Sequence, residues 1–271
     1  MSVRAVSAGS GLRFALPPSL GAAQMEERSG RLRSYLESAL KTRCEIVVPP
    51  SYEALAKELL GGRADVAWAP PFVCARIEAM GIRVLVRGVR GGSASYRAAL
   101  LCRANEPLTP HMLVGKSAVW ADKDSVGGYL LAMAFLRAHG FDPAKTFSRQ
   151  SFAGSYRAAL EQVLNGGADI TSVFAAHGKG ATLETGVDEL WAEKKSEFAV
   201  VAFTEESPND GVAVSMTASP ERVIELEKTL LGLHSTPAGQ EILKETFNAE
   251  RFEVAPRMGY RALYRVALAS L

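Results

Sequence analysis

Between Leu12 and Val89 the chain alternates four short apolar runs with three helical patterns, and proline or glycine marks each change of period. The apolar runs are 12–16, 44–48, 64–69 and 84–89. The first three end at Pro17-Pro18, Pro49-Pro50 and Pro70-Pro71. The helical patterns are 25–41, with Leu32, Tyr35, Leu36 and Leu40 on one face, then 52–60 and 72–80. Ser51 is placed as the N-cap of the second helix, although Ala54 stands where a capping box wants Glu or Gln. Gly61-Gly62 and Gly81 close the second and third helices. Short apolar strands separated by single helices predict a mostly parallel sheet, with ligand-binding loops at the carboxyl ends of its strands. Those loops are 17–21, which holds Ser19, then 49–52 and 70–72.

A second α/β series follows. A strand at 96–103 leads away from the first series. Then come a strand at 117–120, a helix at 128–139, a strand at 146–152, a helix at 155–165 and a strand at 168–174. A strand at 198–204 leads onward to a strand at 212–216 and helices at 220–233, 238–246 and 260–268. These late helices have no sheet of their own and are expected to return to the first lobe. The domain reading is therefore lobe 1 at 1–96 and 205–271 and lobe 2 at 104–197. Hinge strands at about 96–103 and 198–204 would leave a ligand cleft between the lobes.

The chemistry concentrates at two helix starts. Asp124-Ser125-Val126-Gly127-Gly128-Tyr129 follows an apolar run and opens an apolar helix; Phe152-Ala153-Gly154-Ser155-Tyr156-Arg157 repeats the layout. A glycine- and serine-bearing turn at a helix N-terminus aims unpaired N–H groups outward, which suits a small anion. Each serine also reads as a plain N-cap.

Other chemistries are poorly supplied. A net charge of +2 with interspersed signs points neither to nucleic acid nor to an anionic membrane. Cys44, Cys74 and Cys102 are odd in number and lack a C-x-x-C pair, which argues against a disulfide framework and a zinc site. The four histidines show no metal-binding spacing; His177, just after a lobe-two strand, is placed to face the cleft. Trp68 is read as core or as an apolar wall of the cleft. No cofactor is expected. No segment reaches the 18 or so apolar residues of a membrane span. The first ten residues hold no apolar run of signal-peptide length. The chain is therefore expected in the cytoplasm if Met1 is its native start, and in the periplasm if a leader was trimmed.

Four stretches together resemble the substrate-binding proteins of phosphate, phosphite and phosphonate ABC transporters, the PhnD-like group of type II periplasmic binding proteins. They are Gly61-Gly62-Arg63-Ala64-Asp65-Val66-Ala67-Trp68-Ala69-Pro70-Pro71-Phe72, the strand opened by Tyr96, Gly115-Lys116 through Tyr129, and Gly154 to Leu160 followed by Gly166-Gly167-Ala168-Asp169. Ser207-Pro208-Asn209-Asp210 is similar to the family's return to lobe one. The resemblance implies an α/β, two-lobed periplasmic-binding-protein-like (type II) fold: two mixed, mostly parallel sheets joined by two hinge strands. It implies capture of a small anionic ligand, a phosphonate, phosphate ester or related oxyanion. Family contacts would fall on Tyr52, Tyr96, Ser125, Val126, Gly127, Gly128, Ser155, Tyr156 and Arg157. Ser19, Phe72 and His177 join them from neighbouring loops.

Two departures matter. Gly127 replaces the family's second serine, and Tyr156-Arg157 replaces its histidine and acidic residue. An arginine there disfavours an aminophosphonate and suits a carboxylate or a second phosphate oxygen. The expected partners are the small ligand and either an ABC permease, if the chain is exported, or a signalling partner, if it is cytoplasmic. Two alternatives stand beside the binder. One is a cytoplasmic enzyme on the same fold, as in the menaquinone pathway; the other is a degenerate interaction domain whose cleft Tyr156 fills.

Overall fold

The computed structural model describes residues 11–17, 22–123, 125–175 and 185–264. Ser19 and His177 lie outside the described residues. The chain divides into two compact units, Met1–Ala94 with Asn209–Gly259, and Ser95–Pro208 with Tyr260–Leu271. In chain order the first passage gives β1 (Leu12–Ala15), α1 (Ala22–Leu40), β2 (Cys44–Val47), α2 (Tyr52–Leu60), β3 (Val66–Ala69), α3 (Pro71–Ala79) and β4 (Arg83–Val89). Unit 2 gives β5 (Ser95–Arg103), β6 (Ser117–Trp120), a π turn (Val126–Leu130) running into α4 (Leu131–Ala138), then α5 (Pro143–Thr146) and β7 (Arg149–Phe152). It continues with α6 (Tyr156–Leu164), β8 (Thr171–Ala175), α7 (Val187–Trp191), β9 (Phe198–Phe203) and β10 (Ser207–Pro208). The return to unit 1 gives β11 (Gly211–Val214), α8 (Pro220–Gly232), α9 (Pro237–Phe247) and β12 (Arg251–Val254).

Unit 1 holds a six-stranded sheet in the order β12-β4-β11-β3-β1-β2. β1 pairs in parallel with β2 and β3, as crossover helices require. β11 inserts antiparallel between β3 and β4, and β12 adds antiparallel at the edge. The sheet is mixed because the chain re-enters this unit from the opposite direction. Leu32 and Leu36 of α1 are fully buried, as their spacing predicted. Trp68 is core: it meets Phe247 at 5.1 Å and Phe252 at 5.6 Å, both edge-on. Such pairs add about 0.5–1.5 kcal/mol beyond area burial.

In unit 2, β6 and β7 pair in parallel, and Ala118 bridges in parallel to Ile170 just before β8. β5 runs antiparallel to β8 on one side and to β9 on the other. The two strands expected as hinges, 96–103 and 198–204, are thus working members of this sheet. Residues 146–152, expected as one strand, are the end of α5 and then β7. Pro143 and the Asp142 N-cap, which accepts from Ala144 N at 3.1 Å, favour the helical turn there. Of the helix expected at 260–268, Arg261–Leu263 is a 3-10 turn, Tyr264 is helical and the rest lies outside the described residues; the segment groups with unit 2 rather than unit 1. The three cysteines are buried thiols; burial, the largest cause, pushes Cys44 up to about 12.

Candidate functional site

The same local device opens a helix in each unit. Ser51 precedes α2 in extended backbone (φ −152°, ψ 163°), and its hydroxyl accepts from Ala54 N at 3.0 Å. Ser155 precedes α6 (φ −157°, ψ 160°) and accepts from Ala158 N at 3.1 Å. A tyrosine follows each cap, Tyr52 and Tyr156, and a left-handed glycine follows each helix, Gly62 at φ 67° and Gly166 at φ 75°. An aspartate then starts the next strand. Asp65 Oδ2 accepts from Arg13 N at 2.7 Å, and Asp169 Oδ2 accepts from Ser117 N at 2.8 Å and Ser117 Oγ at 2.7 Å. Each of these features in unit 2 lies 104 residues after its counterpart in unit 1. The two G-x-x-D segments therefore tie neighbouring strands together at their amino ends. At Asp169, burial raises the pKa most. The Ser117 N–H and hydroxyl, with Lys116 and Arg103, outweigh it and hold the carboxyl below its ordinary value.

Unit 2 gathers five of the expected contacts, Ser125, Val126, Gly127, Gly128 and Tyr156, around the start of α4. Ser125 caps the π turn, and its Oγ accepts from Gly128 N at 3.1 Å. Leu130 N donates to Ser125 O at 3.0 Å, the long i→i+5 spacing of a π turn. Val126 and Gly127 carry the first N–H groups of this turn, which have no earlier carbonyl inside it to bond. Ser125 Oγ also donates to Tyr156 Oη at 2.9 Å. Each hydroxyl has one proton, so after this bond the pair still has a proton to donate. Burial, the largest cause, pushes the Tyr156 phenol above its ordinary value, against the pull of Ser125 and Gly128; the group stays a neutral donor at working pH.

Tight packing fixes this end. A Cβ on Gly128 would lie 2.7 Å from Ala121 Cβ, 2.8 Å from Ser125 Oγ and 2.9 Å from Tyr156 Cε1. A Cβ on Gly127 would lie 3.1 Å from the N, Cα and Cβ of Phe174. Ser172 Oγ donates to Gly127 O at 2.7 Å. The glycine at 127 is thus a close approach of the turn to β8 as well as a missing hydroxyl. Phe174 also meets Tyr156 edge-on at 5.5 Å.

Arg157 is used differently from the expectation. Its Nε donates to Glu161 at 2.9 Å, its NH1 donates to Leu190 O at 3.0 Å, and its guanidinium sits 3.6 Å from the Trp191 ring centroid. The fork is engaged with α6 and α7. Ser155 is exposed beside it. Tyr96 lies in β5 opposite Ser207. Tyr52 and Phe72 belong to unit 1, half-buried in the first turns of α2 and α3. Ser172 and Phe174 escaped the sequence reading because strand alternation alone does not say which residue meets a neighbouring turn.

A groove of about 860 Å³ in unit 1, lined in part by Arg13, Arg33, Glu37 and Glu45, lies at the amino ends of β1 and β2. That is the wrong end of parallel strands for a ligand, and its charges are mixed. Among the described residues no cluster could hold a metal ion, and no helix is long and apolar enough to cross a membrane.

The family model for the periplasmic substrate-binding proteins of phosphonate ABC transporters matches residues 14–260. Among solved structures, XAC2383 from Xanthomonas citri, bound to ATP, is 20% identical over 95% of this chain and 95% of its own, with a TM-score of 0.72. PhnD1 from Prochlorococcus marinus, in complex with methylphosphonate, is 16% identical over 96% and 97%, with a TM-score of 0.63. A binding protein component of an ABC phosphonate transporter from Pseudomonas aeruginosa is 14% identical over 96% and 95%, with a TM-score of 0.59.

Proposed function

The chain belongs to the family of periplasmic substrate-binding proteins of phosphonate ABC transporters, and on that premise we propose that it captures a small phosphorus oxyanion, reversibly and without chemistry, at the amino end of α4. The observation that carries this reading is the Ser125–Tyr156 hydroxyl pair beside the first N–H groups of the π turn. A tetrahedral oxyanion accepts from such donors without needing a full counter-charge. The ligands bound in the Xanthomonas citri and Prochlorococcus marinus relatives, ATP and methylphosphonate, both present phosphorus-bound oxygens. The family is one of binding proteins rather than enzymes. We place the protein in the periplasm, delivering its ligand to an ABC permease.

One observation favours a second reading. The Ser125 hydroxyl already has a protein partner on each side, Gly128 N and Tyr156 Oη, so its own hydrogen bonds are made without a ligand. A domain that has given up binding would look like this. A thermal-shift panel of phosphate, phosphite, alkylphosphonates, phosphate esters and small carboxylates separates the two. A ligand at 100 times its dissociation constant adds about 2.7 kcal/mol of stability, a rise of several degrees. A phosphorus oxyanion that raises the melting temperature supports the binder. A flat response across the panel rejects it and leaves the interaction domain.

A further inference from the structure

Two arginines among the described residues bury an Nε that has no hydrogen-bond partner, Arg76 and Arg97. Arg76 stands in the last turn of α3, where the negative end of the helix dipole accounts for its charge. Arg97 has no such helix end. It lies in β5, next to Tyr96, and its backbone faces Ala175, the last residue of β8. That is the carboxyl end of β8, where ligands of a parallel sheet gather. Both β5 and β8 pack against the π turn that Ser125 caps.

The Arg97 guanidinium carbon sits 3.7 Å from the centroid of the Phe203 ring. Phe203 packs on the same apolar cluster as Tyr156. The ring steadies the guanidinium but offers it no acceptor. Other arginines here are matched: Arg87 to Glu253, Arg90 to Asp210, Arg103 to Asp169 and Arg157 to Glu161. Arg97 is left out of this pairing among the described residues. A guanidinium stays charged at every working pH and carries five donors, so an oriented one without an acceptor is suited to an anion from outside.

We propose that Arg97 is a specificity residue that binds a second acidic group on the ligand. The chain then prefers a phosphonate or phosphate bearing a further carboxylate or phosphate over a simple alkylphosphonate. The inference rests on the oxyanion reading of the α4 end. It also reassigns the role expected of Arg157: the fork for the second acid comes from β5, because the Arg157 fork is engaged with α6 and α7.

The test is isothermal titration of the full chain with methylphosphonate and with phosphonoacetate, using wild type and Arg97→Gln. The wild type is expected to bind phosphonoacetate at least about tenfold more tightly, and in Arg97→Gln the ratio of the two dissociation constants should fall to within about threefold of one. Equal affinities in the wild type, or a preference that survives in Arg97→Gln, overturn the proposal while leaving the oxyanion site standing. If neither compound binds, this inference fails, while the oxyanion reading stands or falls separately on the wider thermal-shift panel. Arg97→Lys keeps the charge but not the planar fork, and serves if the glutamine variant does not fold. Its ratio should drop as well, and an unchanged ratio overturns the proposal.

Discussion

Ser125→Ala and Tyr156→Phe should cost stability in a way that does not add. Tyr156→Phe keeps the ring edge-on to Phe174 and removes the oxygen that accepts from Ser125 at 2.9 Å. The loss is one neutral hydrogen bond in a half-buried place, about 1 kcal/mol. Ser125→Ala loses that bond and also the cap on Gly128 N at 3.1 Å, so its cost is about 2–3 kcal/mol. Once Ser125 is alanine the shared bond is already gone, and adding Tyr156→Phe should cost almost nothing. The coupling energy is therefore about 1 kcal/mol. Urea unfolding, followed by the fluorescence of Trp120 buried in the same unit, measures all four corners of the cycle. Single costs that add to within about 0.3 kcal/mol would show that the two hydroxyls do not form a unit, and the geometric basis of the site would be lost.

Three further outcomes follow from the packing and charges. Gly127→Ser, which restores the family's second serine, should destabilise by about 1–3 kcal/mol, because the atoms 3.1 Å from its Cβ include Phe174 backbone, which cannot step aside; an unchanged urea midpoint would show that the turn has room. The Asp169 carboxyl is held below its ordinary 3.8, so its contribution is present above that pH and fades as pH falls through the depressed value. Asp169→Asn should thus cost about 1–3 kcal/mol at neutral pH, with the gap to wild type closing as pH drops below 3.8; a gap independent of pH would refute the assignment. The buried thiols, with Cys44 raised to about 12, should resist alkylation in the native protein and react fully in denaturant; rapid labelling of the native chain would contradict their burial.

Much of the fold could be read from the sequence because its strands and helices are short, periodic and sharply punctuated. Ser51 and Ser155 cap as predicted, and the stripe of Leu32 and Leu36 turns inward. What escaped was set by tertiary pairing. The antiparallel insertion of β11 and the edge strand β12 follow from the chain's return, which no local pattern announces. The reading of 128–139 as a plain helix missed the π turn at Val126–Leu130, which Ser125 caps through Gly128 N while it also bonds Tyr156. Ser125, Gly128 and Tyr156 were singled out from sequence, and the structure brings them together. Arg157 was read as a ligand fork because the family resemblance puts a contact there and its charge opposes the helix dipole; in the structure it pairs with Glu161, one turn away on its own helix. One signal was visible and went unused: the spacing of 104 residues between the Ser-Tyr caps and between the G-x-x-D ties aligns Tyr52 with Tyr156 and marks the ties as structural.

The most direct test of the central claim is isothermal titration of methylphosphonate and inorganic phosphate into the wild-type chain and into the Ser125→Ala, Tyr156→Phe double variant. The account predicts saturable binding of at least one of them by the wild type, weakened about tenfold or more in the variant as the hydroxyl donors are lost. Binding that is equally tight in both proteins would place the anion somewhere other than the amino end of α4.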